Sequence, residues 1–78
     1  MWIATEDVLL NVNKIESFQV LHSDVNRGNV VCKTNTQEWI DLTRGMPIKD
    51  YHRALKHIAK EINLHADDFT YVSDLSDL

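Results

Sequence analysis

The sequence predicts an α+β fold: an antiparallel meander of three to four strands, followed by one amphipathic helix packed on one face. Two observations predict it. Runs of β-compatible residues separated by turn formers fill residues 8–42, and one apolar stripe with helical spacing follows at residues 48–62. Consecutive strands with short links favour antiparallel pairing. The domain spans residues 1–66, and residues 67–78 form an acidic tail, docked or flexible.

The first strands are predicted from alternation and from the turn formers between them. Residues 8–12 place Val8, Leu10 and Val12 on one face, and residues 2–5 add a fifth strand or continue into this one. Residues 15–22 are rich in β-compatible types. A dense cluster of turn formers at residues 23–29 ends that strand.

The next two strands form a hairpin. Residues 30–34 read as a strand, and Asn35-Thr36 can close a short turn into residues 37–42. Gly45 and Pro47 then interrupt the β pattern, and Pro47 suits a first helical turn.

The helix is predicted from five apolar residues spaced 3, 4, 3 and 4 apart: Ile48, Tyr51, Leu55, Ile58 and Ile62. Asn63 is a plausible end, and Ala66 is the alternative.

One helix can cover only one face of such a sheet. Period-two alternation assigns to the other face Leu9, Ile15, Leu21, Val31 and Trp39. An uncovered apolar set of this kind marks an interface, so we expect a homodimer packed sheet to sheet or edge to edge, with Trp39 as its hot spot. The alternatives are that the tail covers this face, or that a bulge exchanges the faces.

The charges are unevenly placed along the chain. Residues 1–62 carry 8 basic and 8 acidic side chains, so the net charge of -4 lies in the last sixteen residues. The helix carries a basic face of Lys49, Arg53, Lys56 and Lys60. This face suits phosphate or an acidic partner, although an ordinary solvated helix face has the same appearance.

The acidic tail repeats an apolar residue every three positions, at Phe69, Val72, Leu75 and Leu78. Such a segment can dock into a basic, apolar groove on a partner, or onto the basic helix of its own chain or of a dimer mate. The alternatives are a frayed terminus and an extra strand at residues 69–72.

The sequence offers no catalytic or metal-binding set. Alternation places Cys32 in the core as a small apolar residue, and the histidines lack the spacing of a closed zinc site. With two glycines in the chain, a phosphate-cradling loop is excluded in practice. We therefore expect no enzyme activity, no cofactor and no metal.

The chain lacks a signal-peptide pattern, and its longest apolar run is four residues, so a cytoplasmic protein without membrane contact is expected. The run from Leu10 to Phe18 resembles the opening of small uncharacterised bacterial and phage proteins, over about residues 8–62. The resemblance implies a bacterial or phage origin and a sheet-plus-helix fold, but no activity.

These observations predict a non-enzymatic protein-interaction or regulatory module that binds an unidentified protein. The alternative is a nucleic-acid-associated regulator that uses the basic helix face, with the acidic tail as its competitor.

Overall fold

Two small sheets and one helix surround a shared core in the computed structural model, which describes residues 1–76. The elements are β1 Trp2–Ala4, β2 Leu9–Asn11, β3 Ile15–His22, β4 Arg27–Thr34, β5 Trp39–Asp41, β6 Met46–Pro47, α1 Tyr51–His65 and β7 Val72–Asp74. The first sheet has the order β2-β1-β7. The second is the antiparallel meander β3-β4-β5, with β6 also paired to β4. The predicted α+β fold is confirmed.

Helix α1 packs its buried face against the central strand of the meander. Tyr51, Ala54 and Ile58 are buried in one cluster with Val30 and Cys32 of β4. Burying a side chain such as that of Ile58 contributes about 1.5–3 kcal/mol. A 3-10 turn, Ile48–Asp50, precedes the helix and leaves the side chain of Ile48 exposed, so the helical stripe begins at Tyr51.

The first sheet ties both ends of the described chain together. Its central strand β1 pairs antiparallel with β2 and parallel with β7. Ile3 is fully buried opposite Ser73, and the Trp2 indole N–H donates to the carbonyl oxygen of Phe69 at 3.0 Å. The tail up to residue 76 is therefore folded against the body through β7. Leu78 lies outside the described residues.

Two of the predicted face assignments are wrong. The β3–β4 register shifts between Ile15 and Ser17, so that Ile15 lies opposite Thr34 and packs against the core. This is the bulge that exchanges faces, because one extra residue reverses the alternation before it. Leu9 belongs to β2 in the first sheet, and so does not share a face with the meander residues.

Gly28 lets β4 and the helix approach each other closely. A Cβ atom at Gly28 would collide with the hydroxyl oxygen of Tyr51 and with the carbonyl oxygen of Leu21. The Tyr51 ring also meets the ring of His22 edge to face, with 5.7 Å between centroids. The absence of a side chain at this position therefore fixes how the start of α1 sits on the β3–β4 hairpin.

Candidate interaction surfaces

The meander face that turns away from α1 carries Leu21, Val31, Lys33 and Trp39, and is called here the open sheet face. Val30 and Cys32 point to the core, so alternation turns Val31 and Lys33 the other way. Leu21 and Trp39 are 50% and 49% exposed, whereas Val31 between them is fully buried. Three predicted interface residues, Leu21, Val31 and Trp39, therefore do share one surface.

Val31 is buried by its neighbours on the same face. It lies opposite Gln19 of β3 and Asp41 of β5 in the sheet register. The ammonium of Lys33 lies over the Trp39 ring, 5.7 Å from its centroid. A cation over an exposed ring contributes about 0.5–1 kcal/mol, which holds the indole against the sheet.

A second exposed apolar surface lies on the first sheet. Trp2 and Val72 are register neighbours on the face opposite Ile3, and Leu9 lies on the same face of β2. Phe69, next to Trp2 through the indole hydrogen bond, is 83% exposed. Sequence reasoning missed this grouping, because parallel pairing of Trp2 with Val72 joins opposite ends of the chain. Leu75, by contrast, is buried in the core.

The basic residues of α1 point to solvent. Lys56 and Lys60 each lie two residues from buried Ile58, about 160° around the helix from it. Arg53, Lys56 and Lys60 are exposed on α1, and Lys49, which is also exposed, lies in the 3-10 turn before the helix. Arg53 pairs with Asp50 at 3.2 Å, and within residues 1–76 no tail aspartate forms an ion pair with this face.

An apolar groove runs between α1 and β3, with a volume of about 490 Å³. It is lined by Phe18, Leu55, Ile58, Ala59, Ile62 and Asn63. Every lining side chain is uncharged, and the groove lies beside the outer strand of the meander. Sequence reasoning treated Leu55 and Ile62 as core residues only, although both are partly exposed here.

A cluster around Glu61 fastens the tail to the helix. The Tyr71 hydroxyl donates to Glu61 at 2.8 Å, which raises the pKa of Tyr71. His57 and His65 lie 3.5 and 3.8 Å from the same carboxylate, and the His65 ring stacks on that of Tyr71 with 3.6 Å between centroids. These contacts join the end of α1 to the segment that leads into β7.

A polar cleft of about 380 Å³ opens beside the start of α1. Its wall carries the ion pair Arg44–Asp7 at 3.0 Å as well as Arg53–Asp50. Both guanidinium groups are therefore already neutralised by neighbouring carboxylates. Exposed pairs of this kind contribute about 0–1 kcal/mol each.

Cys32 is the remaining candidate nucleophile. Cys32 is fully buried, and burial raises the pKa of its thiol, which disfavours the reactive thiolate. In the part of the chain that the structure describes, no three His, Cys, Asp or Glu side chains are arranged to hold a metal ion. Within the same residues, no helix is long and apolar enough to cross a membrane.

Comparison of the chain with protein-family models, with curated proteins and with solved structures gave no match. The surfaces described above are therefore the basis for assigning a function.

Proposed function

We propose that this chain is a small, non-enzymatic protein-interaction module of the cytoplasm that works as a homodimer and binds another protein through the open sheet face. The observation that carries the proposal is the pair of half-exposed side chains, Leu21 and Trp39, on either side of buried Val31. Large apolar side chains grouped on a rigid sheet are typical of protein interfaces.

Trp39 is the anchor of this surface. Tryptophan is enriched among interface residues that dominate binding energy, because it buries a large area at a small cost in side-chain entropy. Lys33 holds the ring in place before binding, and its ammonium favours a partner with an acidic group beside an apolar patch. We further propose a partner in a bacterial cell, an expectation that rests only on the resemblance drawn from residues 10–18.

Differential capture tests the partner contact. The full chain, its Trp39→Ala variant and its Phe69→Ala variant are each immobilised and exposed to an extract of the cells that produce the protein. Both variants remove one exposed aromatic ring, but only Trp39 lies on the open sheet face. We expect a protein retained by the wild type and by Phe69→Ala but lost with Trp39→Ala. Equal retention by all three would contradict the proposal.

The basic helix face favours one alternative, a nucleic-acid-associated regulator. All four basic side chains are exposed, and Lys56 and Lys60 point away from the core, so these two lysines are available to phosphates, whereas Arg53 is paired with Asp50. Deleting the tail is a poor test, because it removes β7 and the core residue Leu75. The sharper test compares wild type with Lys56→Glu/Lys60→Glu for binding to labelled duplex DNA and RNA at low salt. Binding that the double variant abolishes would favour this alternative.

A further inference from the structure

Strand β3 has one edge along which no other strand of the described chain, residues 1–76, pairs. It is the outer strand of the meander, and within residues 1–76 only β4 pairs with it. The Leu42 N–H donates to the carbonyl of Val30 at 2.8 Å, so Val30 turns its backbone groups towards β5. Its register partner Val20 must therefore turn its own N–H and C=O outwards, as do Phe18 and His22 by alternation.

From Ser17 onwards, this edge lacks the features that usually prevent strand pairing. Natural edge strands are short, or carry lysine, proline or a bulge along the exposed edge. Strand β3 is eight residues long, has no lysine or proline, and has its bulge near its first residue only. The stretch from Ser17 to Leu21 is uncharged and pairs with β4 without a register shift.

We propose that β3 pairs antiparallel with β3 of a second copy of this chain, about a two-fold axis at Gln19. The two meanders then form one continuous sheet. This inference rests on the homodimer of the proposed function, and assigns its interface to the strand edge.

The register about Gln19 pairs the outward-pointing backbone groups and also places a hydrogen-bond donor beside an acceptor at each end of the ladder. Phe18 faces the partner's Val20, and each such pair exchanges two hydrogen bonds through the groups that now point outwards. Glu16 of each copy comes to the end of the ladder where the partner's His22 lies. An N–H of the imidazole can donate a hydrogen bond to the Glu16 carboxylate, so the two ends of the strand are complementary in the antiparallel direction.

The same axis covers the apolar groove. Phe18 lines the groove, and its side chain lies on the core side of the sheet, as α1 does. Pairing at the β3 edge therefore brings the groove sides of the two helices to face each other, with Leu55, Ala59 and Ile62 on each. The small side chain of Ala59 permits close approach. One contact thus covers both the open edge and the groove, and leaves Trp39 free for another protein.

The test measures the dimerisation constant of the full chain by sedimentation equilibrium. Gln19→Glu and Gln19→Lys each place like charges directly opposite each other across the axis, while in a monomer each adds only an exposed charge. Ala59→Glu adds a charge to the exposed side of the groove, and Leu64→Glu, at an exposed site on the other flank of α1, is its matched control.

We expect Gln19→Glu/Ala59→Glu to weaken dimerisation at least about tenfold, equivalent to about 1.4 kcal/mol. Leu64→Glu should leave it unchanged, and mixing Gln19→Glu with Gln19→Lys should restore pairing as a mixed dimer. If none of these variants weakened the dimer, the β3 interface would be overturned, but the proposal of a homodimer would stand. A mass of 9.0 kDa at every concentration would overturn both, even if the edge bound an added peptide strand.

Discussion

The ammonium nitrogen of Lys33 lies 5.7 Å from the ring centroid of Trp39, on the sheet face that α1 leaves open. A double-mutant cycle with Lys33→Ala and Trp39→Ala measures their coupling. We expect a coupling energy of about 0.5–1 kcal/mol in the free energy of unfolding, because the contact is exposed and screened by solvent. Urea denaturation of the four proteins provides the measurement, and additive effects would show that the ring is not held by Lys33.

Replacing Gly28 tests the close approach of β4 to the helix. Gly28→Ala should lower the free energy of unfolding by about 1–3 kcal/mol, because the new methyl group meets the Tyr51 hydroxyl and the Leu21 carbonyl. Adding Tyr51→Phe should recover part of the loss, since it removes one of the two collisions. An unchanged urea midpoint for Gly28→Ala would contradict the packing of α1 on the hairpin.

We predict opposite effects of the same substitution at two serines, Ser73 in β7 and Ser76 just after it. Within residues 1–76, the buried Ser73 hydroxyl has no hydrogen-bond partner, so Ser73→Ala should leave stability unchanged or raise it by up to about 1 kcal/mol. The Ser76 hydroxyl donates to the Asp74 carboxylate at 2.7 Å, so Ser76→Ala should lower stability. Thermal unfolding of both variants checks the difference, and a strongly destabilised Ser73→Ala would mean that this hydroxyl has a partner.

Two aspartates of the tail, Asp68 and Asp74, make the stability of the fold depend on pH. Backbone and hydroxyl hydrogen bonds from Thr70 lower the pKa of Asp68, and the hydroxyl and backbone N–H of Ser76 lower that of Asp74. A pKa lowered on folding gives stability that is present above the ordinary carboxyl pKa of about 3.9 and is lost as the pH falls through the folded value.

We therefore expect the melting temperature to fall as the pH decreases below about 4. Asp68→Asn should make this fall shallower, because the amide cannot titrate. Asp67→Asn removes the same charge at a neighbouring exposed position and is the control. Thermal unfolding between about pH 2 and 6 provides the measurement. If the melting temperature of Asp68→Asn fell with pH as steeply as that of the wild type, the stabilising role of the Asp68 carboxylate would be contradicted.

Local pattern was sufficient to predict the meander and the helix. Alternation placed Phe18 and Val20 on the core side and Leu21 and Trp39 on the open sheet face, because no bulge interrupts β3 beyond Ser17. It failed at Ile15, because a bulge has no reliable signature in single residues and one extra residue reverses every assignment before it.

The local sequence pattern could not predict which distant strands pair with each other. The parallel contact of β1 with β7 joins Trp2 to Val72, and neither three-residue strand shows enough alternation to identify its partner. For the same reason, the grouping of Leu9 with Phe69 and Val72 could not be predicted. The groove beside β3 was also missed, since helical periodicity does not show how far a side chain such as Leu55 remains exposed at the sheet edge.

Residue-resolved amide hydrogen exchange tests most directly whether a second copy pairs with β3. In the dimer, the amides of Phe18, Val20 and His22 donate across the two-fold axis, so they should exchange slowly at high protein concentration and faster on dilution. The amides of Gln19 and Leu21, bonded to β4, should be protected at every concentration. Fast exchange at Phe18 and Val20 in a concentrated sample, with Gln19 protected, would contradict pairing through this edge.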